Sequence, residues 1–242
     1  MVKYIDAHCH IQNSEKATAV LAVAAACGVE KCISNATTPN DWNQILSLAK
    51  ATPSVRGAIG VHPWHATSVP DDWPRHMQNI LATNPDIMVG EIGLDKNYPG
   101  PDIQTNVFNM CMDIATKFSR PVFIHCVGAW DQLLHIFKTR GAQNMPPAII
   151  MHAFAGPRDV ITQLNSKYEN VYFSYSPMIM DARHKRAVAA VQNTENNQIL
   201  VESDSGDPAV VPDVVRTVAK IKSIDPDKMA DIIYSNTIEI LK

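Results

Sequence analysis

Asp6-Ala7-His8-Cys9-His10 closes an apolar run, residues 2–5, near the start of the chain. Side chains alternate between the two faces of a β-strand, so His8 and His10 should point to one face and Cys9 to the other. Two imidazoles on one face at the end of a strand can bind one metal ion. Alone, the triplet fits a pair of hydrogen-bonded surface histidines better, so the interpretation depends on the rest of the chain.

Apolar runs of this kind recur along the sequence, each ending in a polar or glycine-containing turn. The eight runs are 4–11, 31–36, 55–63, 87–95, 121–127, 148–154, 170–176 and 198–204. Their near-continuous apolar character, rich in β-branched residues, is typical of parallel strands that are buried on both faces.

The segments between these runs have the length and pattern of helices. They are 15–27, 41–51, 72–81, 103–118, 130–139, 158–167, 182–191 and 212–221, and 226–241 is predicted to form an additional helix. Eight strand–helix units within 242 residues predict an α/β protein with a (β/α)8 (TIM) barrel, formed as a single domain over residues 1–242.

Composition narrows the classes of function. Hydrophobic residues make up 46% of the chain, charged residues 19%, and the net charge is −3, so any contact with nucleic acid must be local. Five cysteines without CxxC spacing are typical of reduced thiols, and the longest apolar run, 17–27, is too short to cross a bilayer. We therefore expect a cytoplasmic protein with no membrane contact.

Metal-binding side chains are concentrated where the predicted strands end. Five of the nine histidines stand there, together with two acids; the set is His8, His10, His62, Glu91, His125, His152 and Asp204. In a barrel the carboxyl ends of the strands converge on one mouth, where active sites form. Imidazoles and carboxylates in one place suit two divalent cations such as Zn, Mg or Mn, with Glu91 able to bridge them and Asp204 placed to accept a proton from water.

The order of these motifs resembles the TatD-type metal-dependent deoxyribonucleases of the amidohydrolase superfamily over essentially the whole chain. The matching motifs are His8-x-His10, Gly60-Val61-His62-Pro63, Gly90-Glu91-Ile92-Gly93-Leu94-Asp95, Gln104 with Phe108, Pro121-Val122-x-Ile124-His125, His152-Ala153-Phe154-Ala155-Gly156, Glu202-Ser203-Asp204 and Asn236-Thr237. The resemblance implies that His8, His10, Glu91 and Asp204 hold one ion, that Glu91, His125 and His152 hold the other, and that His62 lies close to the substrate phosphate.

The chain departs from the family pattern near the expected substrate. The family usually has an arginine two residues after the histidine of the fifth strand, where this chain has Val127, and the loop after Asp204 leads almost directly into a helix.

Three further residues near the predicted strand ends have two interpretations each. Asp6 either orients a metal ligand or makes a structural hydrogen bond, Asp95 either lines the pocket or caps the next helix, and Trp64 either forms an aromatic wall or packs at the rim.

The leading hypothesis is a metal-dependent hydrolase that acts on DNA ends as a 3'-5' exonuclease, with catalytic residues Asp204, Glu91 and His62. A small phosphoester is the other substrate consistent with this chemistry. One alternative keeps the site and changes the bond to an amide, lactone or phosphotriester. A second alternative is a metal-bound scaffold without catalysis. The sequence predicts neither a protein partner nor an oligomeric state.

Overall fold

A computed structural model describes residues 2–242 and places eight strands and nine helices among them. The strands are β1 (Tyr4–Cys9), β2 (Val29–Asn35), β3 (Val55–Ile59), β4 (Met88–Asp95), β5 (Val122–Val127), β6 (Ile149–Met151), β7 (Val171–Tyr175) and β8 (Ile199–Val201). The helices are α1 (Ala17–Ala26), α2 (Trp42–Ala51), α3 (Trp73–Thr83), α4 (Pro101–Lys117), α5 (Trp130–Arg140), α6 (Arg158–Asn165), α7 (Lys185–Asn193), α8 (Val211–Lys222) and α9 (Pro226–Ile240).

The strands belong to one sheet in the order β1 to β8, which is also their order along the chain. A helix follows each strand, so consecutive parallel strands are joined by helical crossovers. This arrangement confirms the predicted (β/α)8 fold. The additional helix at the end of the chain is also present, as α9.

Several strands are shorter than the apolar runs that predicted them. β6 and β8 have three residues each, so His152 and Asp204 lie just beyond a strand end. The backbone turns just beyond these two strands, where Ala153 and Asp204 have φ angles of 40° and 50°, in the left-handed region that residues other than glycine rarely adopt. The site residues therefore stand on turns that the strands position.

The described chain packs as two compact units. One comprises the residues up to Ser34, His152–Thr162 and Tyr172–Lys242. In this unit β1 lies beside β8, and α8 and α9 pack against both strands. Its core includes Phe154 and Phe173, whose rings meet edge to face with their centroids 4.7 Å apart.

The other unit comprises Asn35–Met151 and Gln163–Val171. In it α2 packs on β3 and α4 packs on β4, while β3 to β6 lie side by side. Its core contains the fully buried side chains of Phe108, Phe123 and Phe137. The predicted single domain over 1–242 stays a prediction.

Two expectations from the sequence concern the membrane and the cysteines: the apolar runs are too short to cross a bilayer, and the thiols are expected to be reduced. Within residues 2–242 no helix combines the length and the apolar character that crossing a bilayer requires. All five cysteines are free thiols, and Cys9, Cys32 and Cys111 are buried. Burial raises the pKa of the Cys111 thiol to about 12, so this thiol stays protonated at neutral pH.

We expect the thiols to differ sharply in reactivity. Cys27 is exposed and should react with a water-soluble thiol reagent at pH 8, whereas Cys111 should not, because it is both buried and protonated. Peptide mass mapping of the labelled native protein measures this difference. Labelling in denaturant is the control and should modify both thiols; rapid native labelling of Cys111 would contradict the described packing of α4.

Candidate metal centre

The first group of metal-binding side chains lies where β1 meets β8. We call it the β1–β8 cluster; it consists of His8, His10, His152 and Asp204. The Nε2 atoms of His8 and His10 are 3.3 Å apart, which confirms that the two imidazoles share a face. Asp204 Oδ1 lies 3.9 Å from His8 Nε2 and 3.8 Å from His10 Nε2.

These three separations fit a shared cation. Two ligand atoms that bind a tetrahedral zinc ion at about 2.1 Å lie roughly 3.4 Å from each other. The distances of 3.3, 3.8 and 3.9 Å within the β1–β8 cluster are close to that value. Ligand atoms from His8, His152 and Asp204 also lie within 4.8 Å of one another. The donor set of neutral imidazoles and a carboxylate suits a divalent metal.

A buried carboxylate orients His152. Glu202 Oε1 lies 3.3 Å from His152 Nδ1 and accepts the Ala153 N–H at 2.7 Å. Burial opposes the ionisation of Glu202, but the hydrogen bond and charge of His152 outweigh it and lower the pKa of the carboxyl group. With Nδ1–H donating to Glu202, the lone pair of His152 is on Nε2, as in many carboxylate–histidine–metal arrangements. The ring of His152 stacks on His8 at 4.1 Å.

Asp6 fixes the backbone that carries the ligands. Its Oδ1 accepts the His8 N–H at 3.2 Å and the Ser203 N–H at 3.0 Å, so one carboxylate joins β1 to the segment after β8. Burial raises the pKa of Asp6 to about 7, although these hydrogen bonds oppose the rise. Of the two interpretations, the structure therefore favours the structural hydrogen bond.

Backbone pairing places Asp204 opposite β1. Its N–H donates to the His8 carbonyl at 3.0 Å, and the His10 N–H donates to the Ser205 carbonyl at 2.9 Å. The positive φ of Asp204 turns the chain at this point, a conformation that costs free energy and is concentrated at functional sites. About a third of the Asp204 side chain remains exposed, so water can reach the carboxylate.

The second group belongs to the other unit, on β4, on β5 and in the loop just after β3. We call it the β3–β5 cluster; it consists of His62, Glu91 and His125. Glu91 Oε1 is 3.0 Å from His62 Nε2 and 3.1 Å from His125 Nδ1. Glu91 is almost completely buried, so its carboxylate depends on these imidazoles or on a cation for stabilisation.

The hydrogen bonds of His62 assign its tautomer. The Trp64 backbone N–H donates to His62 Nδ1 at 3.2 Å, so Nδ1 is an acceptor and the proton of the neutral ring is on Nε2. That proton points at Glu91 Oε1. Locally, His62 is held in this orientation because it caps the short 3-10 turn Pro63–His65.

Asp95 stands behind His125. Its Oδ2 lies 3.4 Å from His125 Nε2 and accepts the Trp64 Nε1–H at 2.9 Å. Burial opposes ionisation, but the hydrogen bonds from Trp64, Asn97 and His125 lower the pKa of Asp95. The alternative that Asp95 caps α4 is wrong, because α4 begins after Gly100.

The two clusters together contain all seven predicted site residues. His8, His10, His152 and Asp204 meet in one cluster, and His62, Glu91 and His125 meet in the other. The predicted division of the ligands, four for one ion and three for the other with Glu91 in both sets, stays a prediction. Sequence reasoning gave no role to Glu202 as the partner of His152; an acid directly after the apolar run 199–201 was the available signal.

The remaining charged and imidazole residues lie outside these clusters. His76, His135 and His184 are exposed. In the basic segment 183–186, Arg183 is paired with Asp181 at 2.5 Å, and the other side chains are exposed.

Comparison with known proteins gives a consistent family assignment. A family model described as "TatD related DNase" matches residues 5–242. A relative from Mycobacterium tuberculosis named "Uncharacterized metal-dependent hydrolase TatD" is 24% identical, with 96% of this chain and 95% of the relative aligned. A relative from Erwinia tasmaniensis named "3'-5' ssDNA/RNA exonuclease TatD" is 24% identical over 87% of this chain and 88% of its own.

A solved structure has the same fold. The TatD homologue YJJV of Escherichia coli k12 superposes with a TM-score of 0.90 at 22% sequence identity, covering 99% of this chain and 98% of that one. At this identity the likeness establishes the fold alone.

Substituting Asp6 tests its role in joining β1 to β8. Asp6→Ala leaves two buried N–H groups without their acceptor, and each such group costs about 1–3 kcal/mol, so we expect a loss of roughly 2 kcal/mol or more in unfolding free energy. Asp6→Asn keeps an acceptor oxygen and should stay close to wild type. Urea unfolding of both variants in chelator measures the difference; equal stability of the two variants would contradict this role.

Removing the partner of His152 should weaken metal binding. Glu202→Gln replaces the carboxylate that orients the imidazole, and changes of this kind typically reduce metal affinity about 10–100-fold. Titration of the metal-free protein with zinc, followed by calorimetry, measures the affinity. Glu195→Gln, which removes a negative charge in the loop before β8, is the control and should bind zinc as wild type does. A wild-type zinc affinity in Glu202→Gln would show that Glu202 does not orient the His152 ring for metal binding.

Proposed function

Because the chain belongs to the TatD-related DNase family, we propose that it is a metal-dependent phosphodiesterase that removes nucleotides from the 3' end of single-stranded nucleic acid. The family consists of metal-dependent hydrolases, and relatives are named as exonucleases. The observation that carries the proposal is the pair of clusters in which imidazole nitrogens and carboxylate oxygens lie 3.0–3.9 Å apart. Such sets are stable when they hold a cation or a proton.

The two clusters supply the residues that would hold divalent metal. In the β1–β8 cluster the ligands would be His8, His10, His152 and Asp204, and in the β3–β5 cluster they would be Glu91 and His125. When bound, divalent cations lower the pKa of water and polarise a phosphoryl oxygen. We propose that these residues hold two divalent ions, of Zn, Mg or Mn.

Asp204 is the proposed proton acceptor. Its side chain is the most exposed of the β1–β8 cluster, and its Oδ1 faces the Nε2 atoms of His8 and His10, which leaves Oδ2 to accept a proton from the attacking water. The tight turn at Asp204 fixes the carboxylate before substrate binds, so little reorganisation is needed during the reaction.

His62 and His125 have different roles in this proposal. His62 donates from Nε2 to Glu91 and so orients that carboxylate, in addition to its predicted position near the substrate phosphate. His125 is backed by Asp95, which leaves Nδ1 directed toward Glu91. One histidine therefore positions the carboxylate and the other binds metal beside it.

The substrate proposal follows the names of the relatives. Exonucleases that act on single-stranded DNA or RNA are among them, which favours a chain end as the substrate. Val127 in place of the usual arginine removes one cation that could hold a phosphate. A small phosphoester is therefore the substrate to test beside DNA ends.

We also propose a cytoplasmic location, which is in keeping with the five free thiols.

Chelation and one carboxylate substitution test the reaction. We expect EDTA to abolish cleavage of a 5'-labelled single-stranded oligonucleotide, and Asp204→Asn to lower kcat about 10²–10⁴-fold because the proton acceptor is lost. Gel analysis should show products shortened one nucleotide at a time from the 3' end.

The matched control is Asp207→Asn, which changes the same charge in the same loop and preserves the acceptor that caps the turn Pro208–Val210. It should retain wild-type kcat. Cleavage that survives both chelator and Asp204→Asn would refute the proposal. Turnover of an amide, lactone or phosphotriester in place of the oligonucleotide would favour the alternative hydrolase, and a single closed metal site without turnover would favour the scaffold.

A further inference from the structure

A row of aromatic rings leads from the β3–β5 cluster to solvent. The ring of His62 meets Trp64 edge to face at 4.7 Å, and Trp64 stacks on Tyr98 at 4.7 Å with an angle of 17° between the planes. Trp64 also lies 6.3 Å from the ring of His125. His62 is buried, with 4% of the residue exposed, whereas Trp64 and Tyr98 are 49% and 38% exposed.

Trp64 is held in place although it is half exposed. Its indole N–H donates to Asp95 Oδ2 at 2.9 Å, and its backbone N–H donates to His62 Nδ1 at 3.2 Å. It lies in the short turn Pro63–His65, whose proline restricts the backbone. A ring that is fixed before a ligand arrives loses little conformational entropy on binding.

Tyr98 is the outer ring of the row. Among the ring contacts of residues 2–242, it meets Trp64 alone, on one side. The turn after β4 supports it, because the Tyr98 N–H donates to the Asp95 carbonyl at 3.2 Å. Asp95 therefore contacts both residues, since its side chain accepts from the Trp64 indole and its carbonyl accepts from the Tyr98 backbone. Because the two nearly parallel rings stack on each other, the face of Tyr98 that points away from Trp64 is the apolar surface on which a further ring could stack.

We propose that Trp64 and Tyr98 form a stacking platform for a base of single-stranded nucleic acid. This inference rests on the proposed function and names a substrate contact for it. The platform fits a base because stacking needs only a planar ring, and single-strand-binding proteins use exposed aromatic side chains in this way. Its connection to His125 through Asp95 places the base beside the cluster that would act on the phosphodiester bond.

The location of the platform favours a nucleotide over a protein partner. A protein interface needs roughly 800 Å2 on each side, far more than two side chains provide. A nucleotide instead combines an aromatic ring with a phosphate, which matches an aromatic surface next to a metal-binding cluster. Because every base has a flat face, the platform should bind single strands with little sequence preference.

Substrates with and without bases test the platform. The experiment compares a single-stranded DNA 10-mer with a 10-mer of stable abasic (tetrahydrofuran) units, which keeps each phosphodiester bond and lacks the rings. We expect Trp64→Leu and Tyr98→Leu each to raise KM for the base-containing strand about tenfold, as the loss of one stacking contact would. KM for the abasic strand should stay within about twofold of wild type.

Conservative variants separate stacking from a structural effect. Tyr98→Phe and Trp64→Phe keep an aromatic ring and should restore the wild-type KM; for Trp64→Phe this also shows that the hydrogen bond to Asp95 is not the cause. Met110→Ala on α4 is a matched control, since Met110 is also an exposed apolar side chain, 41% accessible. Unchanged KM in both leucine variants, or an equal rise for both substrates, would overturn the platform.

The proposed function and the platform can fail separately. If wild-type protein supplied with metal cleaves neither strand, the proposed nuclease function is wrong. Equilibrium binding of both strands in EDTA then decides the platform. About tenfold weaker binding of the base-containing strand by Tyr98→Leu alone supports it, and equal binding by Tyr98→Leu, Tyr98→Phe and wild type overturns it.

Discussion

The structure of the site depends on one constraint: nitrogen and oxygen atoms that carry lone pairs are held close together. His125 Nδ1 and Glu91 Oε1 are 3.1 Å apart, and the Nε2 atoms of His8 and His10 are 3.3 Å apart. Such atoms repel one another unless a proton or a metal ion lies between them, and burial increases the cost because the interior screens charge poorly. The fold has to hold these atoms in place against that repulsion. A cation bound between them would be attracted to each of them, so the same arrangement favours cation binding.

Carboxylates behind the imidazoles provide much of this support. Glu202 holds His152, and Asp95 holds His125, each through the ring nitrogen that faces away from the cluster. Asp6 acts on the backbone instead, by accepting N–H groups from β1 and from the segment after β8. Each cluster therefore has its own supporting acid, which fixes ring orientation and tautomer and makes the histidines stronger ligands.

Asp95 relates metal binding to the exposed surface. Its Oδ2 contacts both the indole N–H of Trp64 and the outer nitrogen of His125. A change in the position of the indole therefore alters the hydrogen bonding of a proposed metal ligand. One buried carboxylate at the end of β4 therefore links the aromatic rings to the β3–β5 cluster through hydrogen bonds.

The sequence by itself determined the eight strand–helix units, because buried parallel strands need continuous apolar runs and their spacing is set by the helices between them. It also determined which side chains stand at the strand ends, since five histidines there cannot be explained by core packing. The tertiary structure decided the partners. Glu202 under His152, Asp95 behind His125 and Trp64 stacked on Tyr98 are separated by 50, 30 and 34 residues. Contacts of this kind follow from how strands line up and where short turns point each ring, and no local pattern encodes that.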